Sequence, residues 1–559
     1  MFRSRSWAHT VWRQTTPGTC AFSGSFACRR TAVRARYTGC CLTALNNERT
    51  RLPQRTCRFT PLSIRSAVAT TVDGGYSCIL AKFLRTLLHG PHGSLTAGIP
   101  LDLGNGSIAV IWATITNLLA DGEGLALAYQ WNGASSIRCC LKHHNCVSKS
   151  SGLAALDTTG TFVDIACTDA GKFLQWNQGD IIANATGICE AREKLDPGEM
   201  RITAFNKMVT ACGFKATRSG ILQDRQLSQH IQWVEVATYD WMHTFLQNGV
   251  LTDELHAMYV CTGCAAATLH AFLKDGWRYP SWLPNSSRYC FEVFSERRKP
   301  DNKLKATASE TLGLYPLFRF WLETEFNGPP TVAPQLKSFM ACCEVVDLLM
   351  AAKHSGRARE GAEEIQRAME KFLKLHLAAY KDLLIKPKTH WAMDIPDQLR
   401  RDGMVLDAFS LERLHLRAKR IAEQAKNTTR FEETAIAGLI LSHLQSLREI
   451  EEEGLQGKTR ILQEFSNTFQ AISAAWKGIR VKRNDVVYHG NGLGQVVTCA
   501  RKADEIPFCI VETYHRCENT SKHSSKWKAT GGIAACSLHG LRFPRAWKEL
   551  DDDVLLVID

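Results

Sequence analysis

The spacing of apolar residues changes twice along this 559-residue chain, and these changes limit the folds available to it. A β-branched run, GSIAVIWATITNLLADGEG at 106 to 124, ends at an acidic glycine turn. Apolar residues then recur at helical period, at 336, 339, 340, 343, 346 and 350 and again at 365, 369, 372, 373 and 380. After about residue 480, DVVYHGNGLGQVVTCA, PFCIVETYHRC and DDDVLLVID are typical of short strands. The pattern predicts a β-containing start, an all-helical middle and a small β-rich C-terminal module.

Positive charge is concentrated at the N-terminus. Of the net charge of +13, residues 1 to 72 hold +11, from 12 Arg, no Lys and Glu48, so the rest of the chain is nearly neutral. The composition predicts an unstructured, Arg-rich leader. Three interpretations stay open: an organelle-targeting peptide, untranslated sequence read as protein, or a basic arm that binds nucleic acid.

The cysteines and the apolar segments indicate the kind of cellular environment in which the protein folds. The 21 Cys are scattered rather than regularly spaced, which favours a reducing environment over a disulfide framework. The most apolar long window, residues 255 to 273, is interrupted by His, Thr and Gly. It predicts a buried helix, and no membrane partner is expected.

Three blocks of the sequence carry the residue types of a nuclease site. They are LLADGEGLALAYQWNGASSIRCCLKHHNC at 118 to 146, YDWMHTFLQNGVLTDE at 239 to 254, and KPKTHWAMDIPDQLRRDGMVLDAFSLERLHLRAKR at 386 to 420. Taken in this order, they resemble the catalytic segments of CACTA (En/Spm) and KDZ-like DDE transposases. The matched region covers about residues 75 to 440.

The resemblance implies a specific fold. It implies an α/β RNase H-like core interrupted by a large all-helical insertion and followed by the small β-rich C-terminal module. The expected boundaries are 1–72 for the leader, 73–190 for the first part of the core, 191–385 for the helical insertion, 386–480 for the C-terminal catalytic helices and 481–559 for the β-rich module.

The resemblance also implies a reaction and its residues. Acids from two strands and a helix would bind two Mg²⁺ or Mn²⁺ ions, which activate a water or a 3′-hydroxyl for attack on a DNA phosphodiester. Asp121 would be the second acid and Glu412 the third. Asp240 and His243 match a D-x-x-H motif whose spacing would put both on one helical face.

The first acid of this set has no clear counterpart. Asp73 and Asp102 are the nearest upstream acids, and neither lies in a convincing strand. The sequence therefore predicts a truncated or decayed copy of a transposase rather than an active one.

Each acid also has an ordinary structural interpretation. Asp121 precedes a glycine, which is common turn chemistry. Glu412 lies in the first turn of a helix expected at 410 to 426 with Ser410 as its N-cap, where a negative charge is favoured in any case. Asp240 could cap a helix, and His243 could bond within the core.

A compact group of thiols and imidazoles follows Asp121. Cys140, His143 and Cys146, with neighbouring Cys139 and His144, offer soft ligands at short spacing, which is compatible with Zn²⁺. The alternative is a hairpin of incidental thiols.

Basic residues are dense around Glu412. Lys386 and Lys388 precede it, and Arg413, Arg417 and Arg420 recur at the spacing of one helical stripe. The stripe predicts contact with a DNA backbone, and solvated arginines are the alternative.

The sequence as a whole predicts a nuclear, transposase-derived protein whose partner is DNA, with self-association left open. The first alternative is a non-catalytic DNA- or chromatin-binding protein. The second is a helical scaffold imported into an organelle through its leader.

Overall fold

The computed structural model describes most of the chain after residue 58. The described ranges are 18–24, 37–45, 58–90, 94–102, 108–195, 198–280, 286–297, 299, 303–381, 384–425, 429–450, 454–456, 459–461, 468–476, 479–490, 492–502, 506–538, 541–551 and 553–558. The chain divides into two compact units. The first comprises Met1–Trp241, Ala352–Ala362 and Ile385–Leu444, and the second comprises Met242–Ala351, Glu363–Leu384 and Gln445–Asp559.

The strands of the first unit are β1 (Gly18–Gly24), β2 (Tyr37–Leu45), β3 (Arg58–Arg65), β4 (Ile99–Asp102), β5 (Ile108–Ile111), β6 (Ala113–Ala120), β7 (Cys146–Val147), β8 (Val163–Asp164) and β9 (Ala237–Tyr239). Five of them form one mixed sheet in the order β3-β2-β1-β6-β9. Strands β1, β6 and β9 run parallel to one another, whereas β2 is antiparallel to both β1 and β3. Three of these strands lie within residues 1 to 72. The sequence predicts an unstructured leader there, whereas in the structure β1 pairs with β6 and β2 joins β1 to β3.

Helices cover this sheet and fill the rest of the first unit up to Trp241. They are α1 (Ser66–Ala69), α2 (Gly75–His89), α3 (Gly122–Tyr129), α4 (Leu153–Leu156), α5 (Gln178–Glu193), α6 (Ile202–Cys212), α7 (Arg225–Ser228) and α8 (Trp233–Val236). The core buries Leu84 of α2, Leu118 of β6, Leu125 of α3 and Ile181 of α5. This unit extends to Trp241, beyond the boundary expected at residue 190.

The middle of the chain is helical, as its apolar period predicts. Its helices are α9 (Val250–Cys261), α10 (Ala266–Lys274), α11 (Ser286–Ser295), α12 (Ala308–Thr324), α13 (Ala333–Ser355) and α14 (Ala358–Tyr380). The predicted stripes are buried, for example at Phe339 and Cys343 of α13 and at Phe372 of α14. Between α13 and α14 the chain turns at Gly356, whose φ of +67° suits glycine.

A buried polar network links three of these helices in the second unit. The Glu254 carboxylate of α9 is fully buried and accepts a hydrogen bond of 2.7 Å from Ser338 Oγ of α13. It also pairs with His376 Nδ1 of α14. Glu254 belongs to the D-x-M-H block, and here it joins helices inside their core.

The remaining helices are α15 (Pro387–Trp391), α16 (Ile395–Asp402), α17 (Phe409–Gln424) and α18 (Phe431–Ile450). The strands that follow are β10 (Gly454–Gln456), β11 (Arg460–Ile461), β12 (Thr468–Ala471), β13 (Ser473–Trp476), β14 (Ile479–Lys482), β15 (Val486–His489), β16 (Gly492–Lys502), β17 (Phe508–Ser521), β18 (Ser524–Ser537), β19 (Ala546–Asp551) and β20 (Val554–Ile558).

Most of the C-terminal strands form a curled antiparallel sheet, so the predicted β-rich module is confirmed. The order is β11-β12-β16-β17-β18-β20-β19, and β15 pairs with β16. Strands β10, β13 and β14 form a separate three-stranded sheet. Val487, Val496 and Val511 are buried in one apolar cluster, and Trp527 is buried in another. Among the described helices, none has the length and apolar character needed to cross a bilayer.

Candidate functional site

Two of the predicted acids emerge side by side from the mixed sheet. Strands β6 and β9 are parallel neighbours, and their last residues, Ala120 and Tyr239, are paired in the register. Asp121 directly follows the first and Asp240 directly follows the second. Both acids therefore leave the sheet at the same carboxyl edge, where parallel strands commonly present ligand-binding residues.

Asp121 is half-buried and held in a tight turn. Its Oδ1 accepts a hydrogen bond of 2.7 Å from the backbone N–H of Gly124, which makes it the N-cap of α3. The next residue, Gly122, lies under the indole of Trp391, and a Cβ at Gly122 would come within 2.4 Å of Trp391 Cη2. The hydrogen bond to Gly124 fixes the Asp121 carboxylate in this turn, at the edge of the sheet.

Asp240 connects this edge to the helix that carries Glu412. Its side chain is almost fully buried, and Oδ1 accepts a hydrogen bond of 3.1 Å from the backbone N–H of Ala408. Ala408 is the N-cap residue of α17, and its carbonyl accepts from the N–H of Glu412 at 2.8 Å. Glu412 therefore lies in the first turn of a helix whose start is bonded to Asp240.

The predicted N-cap of this helix is wrong. The helix begins at Phe409 after Ala408, so Ser410 lies inside the first turn. The carboxylate of Asp240 accepts from the N–H of Ala408, and that of Asp407 accepts from the N–H of Phe409 at 3.1 Å. Capping by a residue distant in sequence replaces the local serine cap that the sequence suggests.

The predicted pairing of Asp240 and His243 on one α-helical face is also wrong. Asp240 immediately follows β9, outside any helix, and His243 lies in a π-helical turn at Met242–Leu246. The i, i+3 rule applies only to a continuous α-helix. The short strand at Ala237–Tyr239 ends too late for such a helix to include Asp240.

The strand on the other side of β6 carries no carboxylate. Strand β1 has the sequence GTCAFSG and runs parallel to β6, with Gly24 paired to Ala120. Asp73 lies in the turn before α2. Asp102 ends β4, which pairs with β5 rather than with the five-stranded sheet. Neither of the two nearest upstream acids belongs to the sheet that presents Asp121.

A second group of chemically active side chains comes together in the first unit. Cys140, His143, His390 and Asp394 are all buried, and each offers one ligand atom within 4.8 Å of the others. Cys140 Sγ lies 3.4 Å from His143 Nδ1, which lies 3.1 Å from His390 Nε2. Asp394 Oδ1 lies 3.6 Å from His143 Nε2. This set of sulfur, nitrogen and oxygen donors could hold a metal ion.

The four residues come from two distant segments. Cys140 and His143 lie in the loop between α3 and β7, whereas His390 is in α15 and Asp394 directly precedes α16. The side chain of Gln398 in α16 binds both backbone groups of Tyr239, at 2.8 Å and 3.0 Å, and so fastens α16 to the end of β9.

The structure changes the predicted ligand set. Cys140 and His143 are in the cluster, but Cys146 is not, because it begins β7 and its Sγ lies 3.9 Å from Cys139 Sγ. Sequence reasoning missed His390 and Asp394. The signal available was their i, i+4 spacing on a helical segment, in the block KPKTHWAMD.

Burial controls the protonation of the cluster. It raises the pKa of the Cys140 thiol, and the charge of Asp394 raises it further. Burial also lowers the pKa of His390 well below its usual range, with His143 adding to the effect. For His143, burial lowers the pKa against the opposing charge of Asp394. Both imidazoles are therefore neutral at pH 7, the form that binds metals.

The predicted DNA-binding residues lie on two helices, α15 and α17, or at their ends. Lys386 and Lys388 are half-buried at the start of α15, and Arg420 is exposed on α17. Arg417 instead donates a hydrogen bond of 2.8 Å to the carbonyl of Ser442 in α18. The side chain of Arg413 lies outside the described residues. Arg417 of the predicted DNA-binding stripe therefore makes a hydrogen bond within the protein.

Comparisons with known proteins leave the family open. No protein-family model matches the chain, and no curated protein matches it either.

Proposed function

We propose that the chain derives from a DDE-type transposase and keeps its DNA-binding role, while the acidic site has lost one of the carboxylates that strand cleavage requires. The observation that carries this proposal is the pairing of Ala120 with Tyr239, which puts Asp121 and Asp240 at one edge of a parallel strand pair. The hydrogen bond from Ala408 to Asp240 then brings the first turn of the Glu412 helix to the same edge.

The topology of the mixed sheet supports this origin. Three antiparallel strands, β1 to β3, are followed by two strands parallel to β1, in the order β3-β2-β1-β6-β9. An RNase H-like core is built in this order, with acids at the ends of the central strands and on a later helix. The long helical segment between β9 and α15 takes the place of the family's insertion.

The carboxylates fit one divalent cation better than two. Asp121, Asp240 and Glu412 offer the hard oxygen atoms that Mg²⁺ prefers. A pair of ions about 3.5–4 Å apart requires carboxylates on both sides of the reacting phosphate, and β1 has none in its sequence GTCAFSG. Among the described residues, the donor atoms that converge within 4.8 Å are those of the Cys140 group and not these three carboxylates. We propose that the acids would hold one cation, and we derive no cleavage step from them.

DNA contact is assigned to the same helix. Lys419 and Arg420 of α17 are exposed and lie about two turns after Glu412 along the helix. Each phosphate contact of this kind releases counterions, so binding weakens as salt rises.

The test measures cation binding and cleavage on the full chain. Mn²⁺, whose electron paramagnetic resonance reports binding directly, replaces Mg²⁺. We expect one bound Mn²⁺ that is lost in Asp121→Asn and retained in Glu123→Gln, a charge-matched control two residues away. We also expect no nicking of supercoiled plasmid in Mg²⁺ or Mn²⁺. Metal-dependent nicking that Asp121→Asn abolishes would show that cleavage is intact and overturn this part of the proposal.

DNA binding is measured separately. We expect an affinity that falls steeply with salt, and a log–log salt slope that is reduced by about 2 in the double variant Lys419→Ala/Arg420→Ala. Equal affinity and equal slope in wild type and variant would remove α17 as the DNA contact.

A further inference from the structure

We propose that Cys140, His143, His390 and Asp394 bind one Zn²⁺ ion, which fastens the loop after the Asp121 turn to the segment that leads to the Glu412 helix. This site does not depend on the proposed function, because it rests on a different set of residues. Its role is structural, since all four donors come from the protein and all four are buried.

The separations between donor atoms agree with tetrahedral zinc. Zn–N and Zn–S bonds of about 2.0–2.1 Å and 2.3 Å at tetrahedral angles place neighbouring donors roughly 3.3–3.6 Å apart. Cys140 Sγ and His143 Nδ1 are 3.4 Å apart, and His143 Nδ1 and His390 Nε2 are 3.1 Å apart. If a metal ion were bound, small shifts of the Cys140, His143 and His390 side chains would bring their donor atoms to the separations of a tetrahedral site.

An unpaired buried oxygen points to a missing cation. Asp394 is 3% exposed, and its Oδ2 has no hydrogen-bond partner among the described residues. A buried carboxylate oxygen without a partner carries a large desolvation cost. Zn²⁺ would offset it and would balance the two negative charges of the Asp394 carboxylate and a Cys140 thiolate.

The nearby buried Lys142 offers a competing explanation, which the structure disfavours. Its ammonium lies 3.5 Å from Gln398 Oε1 and 5.8 Å from the centre of the Tyr239 ring. Among the described residues, the hydrogen bond of Lys142 goes to Gln398 and not to the thiol or either imidazole, so Lys142 does not explain why these converge.

The cluster joins two segments of the chain that are distant in sequence. His143 and His390 are 247 residues apart in sequence, and a cross-link that closes so long a loop restricts the unfolded chain strongly. Trp391, next to His390, packs on Gly122 and donates a hydrogen bond of 3.2 Å to the carbonyl of Cys139. An ion bound to His390 would therefore also help to hold the Asp121 turn in place, through Trp391.

The experiment measures metal content on the full chain, purified without chelators. We expect about one zinc per chain by elemental analysis, and after exchange to Co²⁺ the intense visible bands of a tetrahedral site with a thiolate ligand. Cys140→Ser should lose the thiolate-to-cobalt band, and His390→Asn should lower the zinc content at least tenfold. Cys146→Ser is the matched control, because Cys146 is a buried cysteine six residues after Cys140, and this variant should keep one zinc.

A second measurement covers variants that fail to fold. Chelation of the wild type should lower its thermal midpoint by several degrees, and Zn²⁺ but not Mg²⁺ should restore it. The proposal is overturned if the wild type contains less than about one tenth of a zinc and added Zn²⁺ leaves the midpoint unchanged. Equal zinc loss in Cys146→Ser and Cys140→Ser would overturn the ligand assignment.

Discussion

The carboxylate of Asp240 accepts a hydrogen bond from the backbone N–H of Ala408, 168 residues later in the chain. This contact joins the end of β9 to the start of α17. It fixes the first turn of α17 at the end of β9, and β9 is paired with β6, the strand that Asp121 follows.

Removing this cap tests its energetic role. We expect Asp240→Ala to lower the free energy of unfolding by about 1–2 kcal/mol, because Ala408 loses its acceptor, and Asp240→Asn to lose less, because the amide oxygen still accepts. Denaturant titration of the full chain measures both. If Asp240→Asn lowers the free energy of unfolding as much as Asp240→Ala does, the negative charge of Asp240 is needed and a neutral acceptor oxygen is not sufficient.

Close packing at Gly122 predicts a steric effect. A methyl group there meets the Trp391 ring at 2.4 Å, so we expect Gly122→Ala to destabilise the protein by about 1–3 kcal/mol. Gly187→Ala in α5 is the control, since a Cβ there meets nothing within 4 Å. This control should stabilise by about 0.5–1 kcal/mol through helix propensity. Thermal unfolding of both variants checks the expected opposite signs.

The side chain of Gln398 serves as a short extra partner for β9. It accepts from the N–H of Tyr239 at 2.8 Å and donates to its carbonyl at 3.0 Å. We expect Gln398→Ala to cost about 2–3 kcal/mol, because two buried backbone groups lose their partners. The exposed Gln229→Ala should change stability by less than about 0.5 kcal/mol. Similar midpoints for the two variants in urea would contradict this role.

The hydrogen bonds of Glu310 predict that the stability of the second unit depends on pH. Burial raises its pKa, but hydrogen bonds from Arg297 and from the backbone of Thr307 outweigh burial and leave the pKa below the ordinary 4.5. Arg297 donates to both carboxylate oxygens, at 2.7 Å and 2.8 Å. A lowered folded-state pKa adds stability above the ordinary value, and this stability is lost as pH falls through the folded-state pKa.

The matching measurement is unfolding as a function of pH. At pH 7 we expect Glu310→Gln to be less stable than wild type by about 1.5–3 kcal/mol, with the difference shrinking below about pH 4. The exposed Glu296→Gln should follow wild type throughout. A difference that stays constant between pH 7 and pH 3 would show that the carboxylate's charge is not involved.

The sequence by itself determined the elements that depend on local burial. The apolar period of α13 and α14, the C-terminal strands, and the acidic turn after β6 follow from which faces of a segment are buried, and neighbouring residues carry that information. Cys140 and His143 could be selected as ligands because their spacing is short.

Only the tertiary structure decided which residues meet. The pairing of Ala120 with Tyr239 puts Asp240 beside Asp121, and a strand register is fixed by packing across the sheet rather than by either strand alone. His390 and Asp394 join Cys140 and His143 because α15 and α16 dock on the end of β9. Cys146 is outside this group because it begins β7, and Asp240 rather than Ser410 accepts a hydrogen bond at the start of α17. Contacts of this kind join distant segments and leave no periodic trace in the sequence of either one.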